Sequence, residues 1–281
     1  MSPPSYREVL PAPILRRFIE CYWFLRADRA APSDPQPILP DGCMELVFNL
    51  GAPFRRCHPD GRSPWSEEQP SRMLVGQMDH HVTVRATGPV DVVGVRFHPT
   101  GAHPLFRFPM AELANELVPL EDVVALPERF GSASSMEDRR RTLDAILSTR
   151  FENTATLDSD FERAVGSVVE AEGRVSTDTL AALMGVGPRQ LERRFRERVG
   201  LGPKRFAKVL RFQSVFRRAF LDERPWAELA LDCGYYDQAH FIRDFKSFTG
   251  RSPSALFSHE NAVTRVFTRR RRKSGLYNTS F

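Results

Sequence analysis

A chain of 281 residues, 41% hydrophobic and 27% charged, is long enough for one or two domains with cores of their own. Cys21, Cys43, Cys57 and Cys233 form no CxxC pair, which argues against a zinc ribbon and reads as reduced thiols in a cytoplasmic protein; no apolar run approaches the ~20 residues that span a bilayer, and "MSPPSYREVLPAP" lacks the regions of a signal peptide, so no membrane is expected. The net charge of +5 is uneven: residues 1–157 carry 17 Lys and Arg against 20 Asp and Glu, residues 158–281 carry 23 against 15, as in a polyanion binder joined to something else.

Residues 1–130 are rich in Pro, Gly and β-branched residues. "MELVFNLG" (44–51), "HVTVRATG" (81–88) and "DVVGVRFHP" (91–99) are short apolar runs bounded by turn signals. They predict an antiparallel β-sheet or barrel. "APILRRFIECYWFL" (12–25) fits helix or strand, and 53–71, with its Pro, Ser and charges, reads as a loop. After residue 130 the pattern changes. Ser134 or Ser135 offers an N-cap, and Leu143, Ile146, Leu147 and Phe151 fall on one helix face. This predicts a connecting helix over 136–151 and a break over 152–157.

From 158 on the segments are helical, and they repeat. "LERRFRERVGLGP" (191–203) precedes "FIRDFKSFTGRSP" (241–253) by fifty residues. Leu191, Arg193, Phe195, Arg196, Gly200 and Pro203 match Phe241, Arg243, Phe245, Lys246, Gly250 and Pro253. The helices before them, "LAALMG" (180–185) and "LALDCG" (229–234), match at an offset of 49, so the second copy has one more residue in its turn. Each copy reads helix, Gly-containing turn, helix, the pattern in which the second helix enters the major groove. Ser176 or Thr177 and Asp237 are the expected caps, and Pro188 suits a first helical turn.

Two aromatic or aliphatic anchors four residues apart would lock each second helix and leave one face free. That face carries Arg189, Gln190 and Arg193 in the first copy. In the second it carries Gln238, His240 and Arg243, with Ala239 beside them. Arg bonds guanine bidentately and Gln bonds adenine. Arg196 and Lys246 are better placed for phosphates. Between the copies, Phe206, Val209, Leu210, Gln213, Phe216 and Phe220 lie at helical spacing over 204–222. A rigid bridge there would set the two recognition helices about 34 Å apart, in successive grooves on one DNA face.

The stretches "LAALMGVGPRQLERRFRERVGLGPKRF" and "WAELALDCGYYDQAHFIRDFKSFTGRSPSAL" resemble the AraC/XylS family of bacterial transcription regulators over about residues 158–258. The turn "GVGP" is more Gly-rich than is usual there. The resemblance implies sequence-specific binding of double-stranded DNA and control of transcription, usually activation through RNA polymerase. Carried over by position, it implies base reading by Arg189, Gln190, Arg193, Gln238, Ala239 and Arg243. "YREVLPAPILRRFIECYWFL", "ILPDGCMELVFNLG" and "VGVRFHPTGAHPLF" resemble a cupin-like domain of undefined ligand found ahead of such units. That implies a sensor for a small-molecule effector, or a homodimerisation module.

The expected fold is therefore α+β in two domains. A cupin-like β-barrel occupies 1–130 and a linker with a helix 131–157. An all-α, homeodomain-like double helix-turn-helix occupies 158–260, and a disordered basic tail 261–281. "TRRRRK" (268–273) in that tail would add sequence-independent DNA affinity. His58, His80, His81, His98 and His103 have no convincing metal-ligand spacing, so hydrogen-bonded histidines and no metal are the reading. "PDG" (40–42) reads as a turn, with a ligand pocket using Asp41 and Glu45 as the alternative. Arg96 is either an anion-binding residue or a solvated strand end. The competing functional classes are a barrel enzyme or repair methyltransferase fused to the same DNA-binding unit, and a non-specific architectural DNA binder. Scattered cysteines speak against the first, so no catalytic residue is assigned.

Overall fold

The computed structural model describes residues 5–28, 35–57, 67–123, 135–151, 158–219 and 224–258. Residues 152–157, Phe220, His58 and the tail with "TRRRRK" lie outside them. The first half holds β1 (Ser5–Val9), β2 (Ile19–Ala27), β3 (Gln36–Ile38), β4 (Glu45–Asn49), β5 (Phe54–Cys57), β6 (Glu67–Glu68), β7 (Arg72–Val75), β8 (Val82–Ala86), β9 (Val90–Phe97) and β10 (Leu117–Pro119). They form two antiparallel sheets, one ordered β1-β2-β9-β4-β7-β10 and the other β3-β8-β5-β6. The expected α+β class holds, with the barrel left open as two facing sheets.

Period-2 alternation explains why β9 is apolar on both faces. Val93, Val95 and Phe97 join a core with Tyr22, Phe48 and Leu74 under the helices. Val90 and Val92 point the other way, to a smaller cluster with Trp23, Met73 and Ala86 of the second sheet. The 12–25 segment resolves into a single 3-10 turn at Pro13–Leu15 followed by β2, because β1 and β9 supply hydrogen-bonding partners on both of its edges. The loop read at 53–71 is corrected: Phe54–Cys57 form a ladder with β8, and Arg55 and Arg56 pair with Glu68 and Glu67. Four consecutive non-aliphatic residues, Phe54–Cys57, concealed a strand that its neighbours define.

Helix α1 (His103–Phe106) is followed by α2 (Met136–Phe151), capped by Ser135, whose hydroxyl accepts from the Asp138 N–H at 3.1 Å. Leu143, Leu147 and Phe151 are buried as their spacing predicts, but against the first sheet's outer face, with Phe18 and Phe151 stacked at 4.0 Å. Arg139 bonds both oxygens of Asp91 at 2.6 and 2.8 Å, and the Tyr22 hydroxyl donates to Asp144. The connecting helix is thus built into the N-terminal core.

The rest is helical: α3 (Ser159–Glu170), α4 (Thr177–Met184), α5 (Pro188–Arg198), α6 (Pro203–Ala219), α7 (Trp226–Asp232), α8 (Gln238–Thr249) and α9 (Pro253–Ser258). Helix α6 is their axis. Phe206, Val209, Leu210 and Phe216 are buried as the stripe predicts, but so are Phe212, Ser214 and Val215. The helix is enclosed on more than one side, since both helix-turn-helix units and the β-sheet half pack on it. Gln213 donates to the Pro40 carbonyl at 2.5 Å, and Arg205 binds Asp79 through its side chain at 2.9 Å and its carbonyl at 2.6 Å. Gly42 has φ +82°, and a Cβ there would meet Leu210 at 3.1 Å, so a glycine lets the 40–42 turn approach α6. No helix among the described residues is long and apolar enough to cross a membrane.

Candidate nucleic-acid interface and inter-sheet cavity

The first helix-turn-helix unit begins where the Ser176 hydroxyl accepts from the Thr179 N–H at 3.0 Å. Leu180 and Ala181 bury, and Gly185 ends α4 in the left-handed region at φ +61°, which favours glycine. Pro188 opens α5, and Leu191 and Phe195 are fully enclosed, Phe195 lying edge-on to Phe161 at 5.2 Å. The second unit repeats this with different residues. Leu229, Ala230 and Cys233 bury, Gly234 turns at φ +79°, and the Asp237 carboxylate accepts from the His240 N–H at 2.6 Å. Phe241 and Phe245 lock α8 against Trp226, Phe212 and Phe216. One residue separates Gly185 from the cap of α5 and two separate Gly234 from Asp237, the extra turn residue that the offset predicts. Asp237→Ala is expected to cost about 0.5–2 kcal/mol, the usual loss of an N-cap, read as a lower urea midpoint.

The side chains expected to face DNA fall into groups. Arg189, Gln190 and Arg193 are exposed on α5, and Gln238, Ala239 and Arg243 on α8. Among the described residues none of these arginines has an ion pair. Lys246 is likewise exposed and without an ion pair among them. Arg196 bonds Glu192 one turn earlier at 2.8 Å. His240 is half-buried, edge-on to Tyr235 at 5.3 Å and 3.5 Å from Asp244, so it turns toward the body of the domain. Arg194 and Arg198 pair with Asp158, the cap of α3, at 3.4 and 2.8 Å. Sequence reasoning missed Tyr236, which is 88% exposed in the turn immediately before α8.

A cavity of about 300 Å³ opens between the two sheets. Its walls include Trp23, Val47, Met73 and Val84, and it reaches Gln213 and Phe216 of α6. Trp23 faces Gly94 across β2 and β9, and a Cβ on Gly94 would lie 2.0 Å from the indole, so the ring lies over β9 only because that residue is glycine. The indole N–H then donates to Glu45 at 3.2 Å. Both readings of Arg96 are corrected here: the side chain is 6% exposed and bonded to Glu45 at 2.7 and 2.8 Å, with Glu8 at 3.6 Å and Asp41 at 3.9 Å. It is neither solvated nor waiting for an anion, because β4 brings Glu45 directly opposite it. Burial works against its charge, but Glu45, Tyr6 and Asp41 outweigh that and hold its pKa well above the ordinary value. The 40–42 turn and the pocket prove compatible: Asp41 accepts from the Cys43 N–H at 3.0 Å, and Asp41 and Glu45 also line the cavity.

The histidines serve local structure. His80 bonds Asp79 at 3.0 Å and His98 the Arg16 carbonyl at 3.0 Å, while burial lowers the pKa of His81, His98 and His103. The described residues include no group of three His, Cys, Asp or Glu placed to hold a metal. Cys21, Cys43 and Cys233 are buried free thiols, and burial raises the pKa of Cys21 and Cys233.

Residues 7–119 match a family described as a domain of unknown function, and residues 180–270 match one described as a helix-turn-helix domain. No curated protein matches the chain. Among solved structures, ToxT from Vibrio cholerae is similar at 13% identity and a TM-score of 0.45, over 90% of this chain and 97% of that one. ToxT from strain O395 is similar at 12% identity and a TM-score of 0.45, over 84% and 96%. Oxalate decarboxylase from Bacillus subtilis is similar at 11% identity and a TM-score of 0.22, over 69% and 36%.

Proposed function

We propose that the chain, with a helix-turn-helix domain behind a domain of unknown function, is a one-component DNA-binding transcription regulator that reads two successive major grooves and responds to a small molecule held between its sheets. The observation that carries the groove reading is the matched pair of locked helices, each presenting an exposed arginine, Arg193 or Arg243, in the same register. Residues 158–260 would bind DNA in the cytoplasm and residues 1–130 would sense, with α2 joined to the sensing core. The response to a ligand is supported by Gln213 and Phe216, which belong both to the cavity wall and to the helix bridging the DNA-binding units. Contact with RNA polymerase, activation and a homodimer extend this reading on the strength of the family resemblance.

Base reading is assigned to Arg189, Gln190, Arg193, Gln238, Ala239 and Arg243, and phosphate contact to Lys246 and Arg196. His240, turned toward Asp244, orients α8 in this scheme. Tyr236 joins the phosphate contacts. Genomic fragments selected on purified protein at stated salt and then footprinted should show two half-sites about one helical turn apart. DNA with no shared motif would instead favour the architectural binder. Arg243→Ala is expected to weaken binding by about 1–3 kcal/mol on the selected site, with discrimination lost at one base pair of the second half-site. Unchanged discrimination would remove Arg243 from the base-reading set.

A further inference from the structure

Residues 77–81, which join β7 to β8, meet both helix-turn-helix units at once. Gln77 lies against Gly200, just past the end of α5: a Cβ on that glycine would come within 3.3 Å of the Gln77 side chain. His81 lies against Gly250, the C-cap of α8: a Cβ there would come within 2.8 Å of the imidazole ring. Gly200 and Gly250 are the matched glycines of the internal repeat. Both hold left-handed backbone, at φ +97° and +70°, which suits the end of a helix, and both leave room for the same strap. Asp79, between Gln77 and His81, takes hold of the bridging helix. Its carboxylate accepts from Arg205 Nε at 2.9 Å, and its carbonyl accepts from a terminal nitrogen of the same guanidinium at 2.6 Å. That guanidinium lies 4.8 Å from the centre of the Phe248 ring, which belongs to α8.

The strap is itself fixed to the β-sheet half. Gln77 is fully buried, and its amide donates at 2.7 Å to the carbonyl of Gly42, in the turn that packs on Leu210 of α6. Asn115 braces the backbone on both sides of Met78: its N–H donates to the Gln77 carbonyl at 2.8 Å, and its side chain accepts from the Asp79 N–H at 2.9 Å. Met78 lines the cavity instead. Relative motion of two small units is the default unless a large interface holds them. Helix α6 joins the units along one line. A strap that touches an equivalent point of each unit outside that helix removes the remaining pivot. It is ordered by its own half, so little further entropy is lost in holding them.

We propose, on the two-groove reading above, that Gln77, Asp79 and His81 are positioning residues that set specificity: they fix the separation of the two recognition helices, and so the spacing of half-sites that the protein accepts. They act through Gly200, Arg205 and Gly250. One base pair inserted between half-sites moves the second by about 3.4 Å and turns it by about 34° around the DNA axis, which a rigid pair of helices cannot follow.

Asp79 and His81 are half-buried and belong to none of the hydrophobic cores, so Asp79→Ala and His81→Ala test the strap with the cores intact. Nitroxide labels go on Arg189→Cys and Gln238→Cys, exposed positions near the starts of α5 and α8, in a full-length Cys57→Ser background where Cys21, Cys43 and Cys233 are buried. Pulsed dipolar electron paramagnetic resonance without DNA then reads their separation. The parent should give one narrow distance and each strap variant a broader one. Unlabelled proteins are next titrated with the selected site and with copies that have one base pair inserted or removed between the half-sites. The parent should prefer the selected spacing by at least ~10-fold, the size of one lost base contact, and each variant by less than ~3-fold, with affinity for a duplex holding the first half-site alone kept within ~2-fold. Narrow distances in both variants overturn the proposal. So does a spacing preference that survives both, or a loss on the single half-site as large as that on the whole site. A parent with a narrow distance that accepts every spacing equally would overturn the two-groove reading instead, and the distances alone would then decide the strap.

Discussion

Glu45→Ala is expected to destabilise the protein by about 3–5 kcal/mol, because it leaves the Arg96 charge buried with only the more distant Glu8 and Asp41 beside it. The loss includes the indole hydrogen bond, since Glu45 Oε1 accepts from both Trp23 and Arg96. Urea denaturation would show it as a fall in midpoint with an unchanged slope. The double variant Glu45→Met with Arg96→Met removes the pair without stranding a charge, and it should recover most of the stability. If Glu45→Ala lowers stability by less than about 1 kcal/mol, the pair lies in water rather than in the sheet interface.

Phe245→Ala is expected to cost a similar amount, about 3–5 kcal/mol, through the cavity left where four aromatic rings meet. Phe212, Phe216, Trp226 and Phe241 all lie within 6.4 Å of its ring. They come from α6, α7 and α8, so the loss falls on the second helix-turn-helix unit. Phe195→Ala should do the same to the first unit, where the ring meets Phe161 and Phe206. Under the two-groove reading the pair of variants gives complementary footprints, each retaining protection of one half-site. Identical footprints from both would show that the units do not read separate grooves.

The C-terminal half was legible in the sequence because its signals are short-range. An N-cap acts over three residues, as Ser176 and Asp237 do, and an anchoring pair over four, as Phe241 and Phe245 do. The internal repeat then supplied a second reading of every position. Phe212 escaped this logic because its burial comes from helices outside its own stripe. His240 did so because its spacing places it on the free face, while Asp244 and Tyr235 draw its ring inward.

The N-terminal half behaves differently. Its apolar runs announced an antiparallel sheet, but strand register decides which side chains meet, and register lies in partners far along the chain. Glu45 and Arg96 are 51 residues apart and Trp23 and Glu45 are 22 apart, yet they share one cluster. Arg96 stands between Val95 and Phe97 in the sequence, where no neighbour announces a carboxylate partner. The fold places Glu45 of β4 directly opposite it. The sequence by itself therefore determined the double helix-turn-helix, its caps, its turns and its basic faces. Only the tertiary structure decided that the two sheets stay open around a cavity, that α2 belongs to their core, and that Arg96 is enclosed by carboxylates, because each of these depends on long-range pairing that no local pattern records.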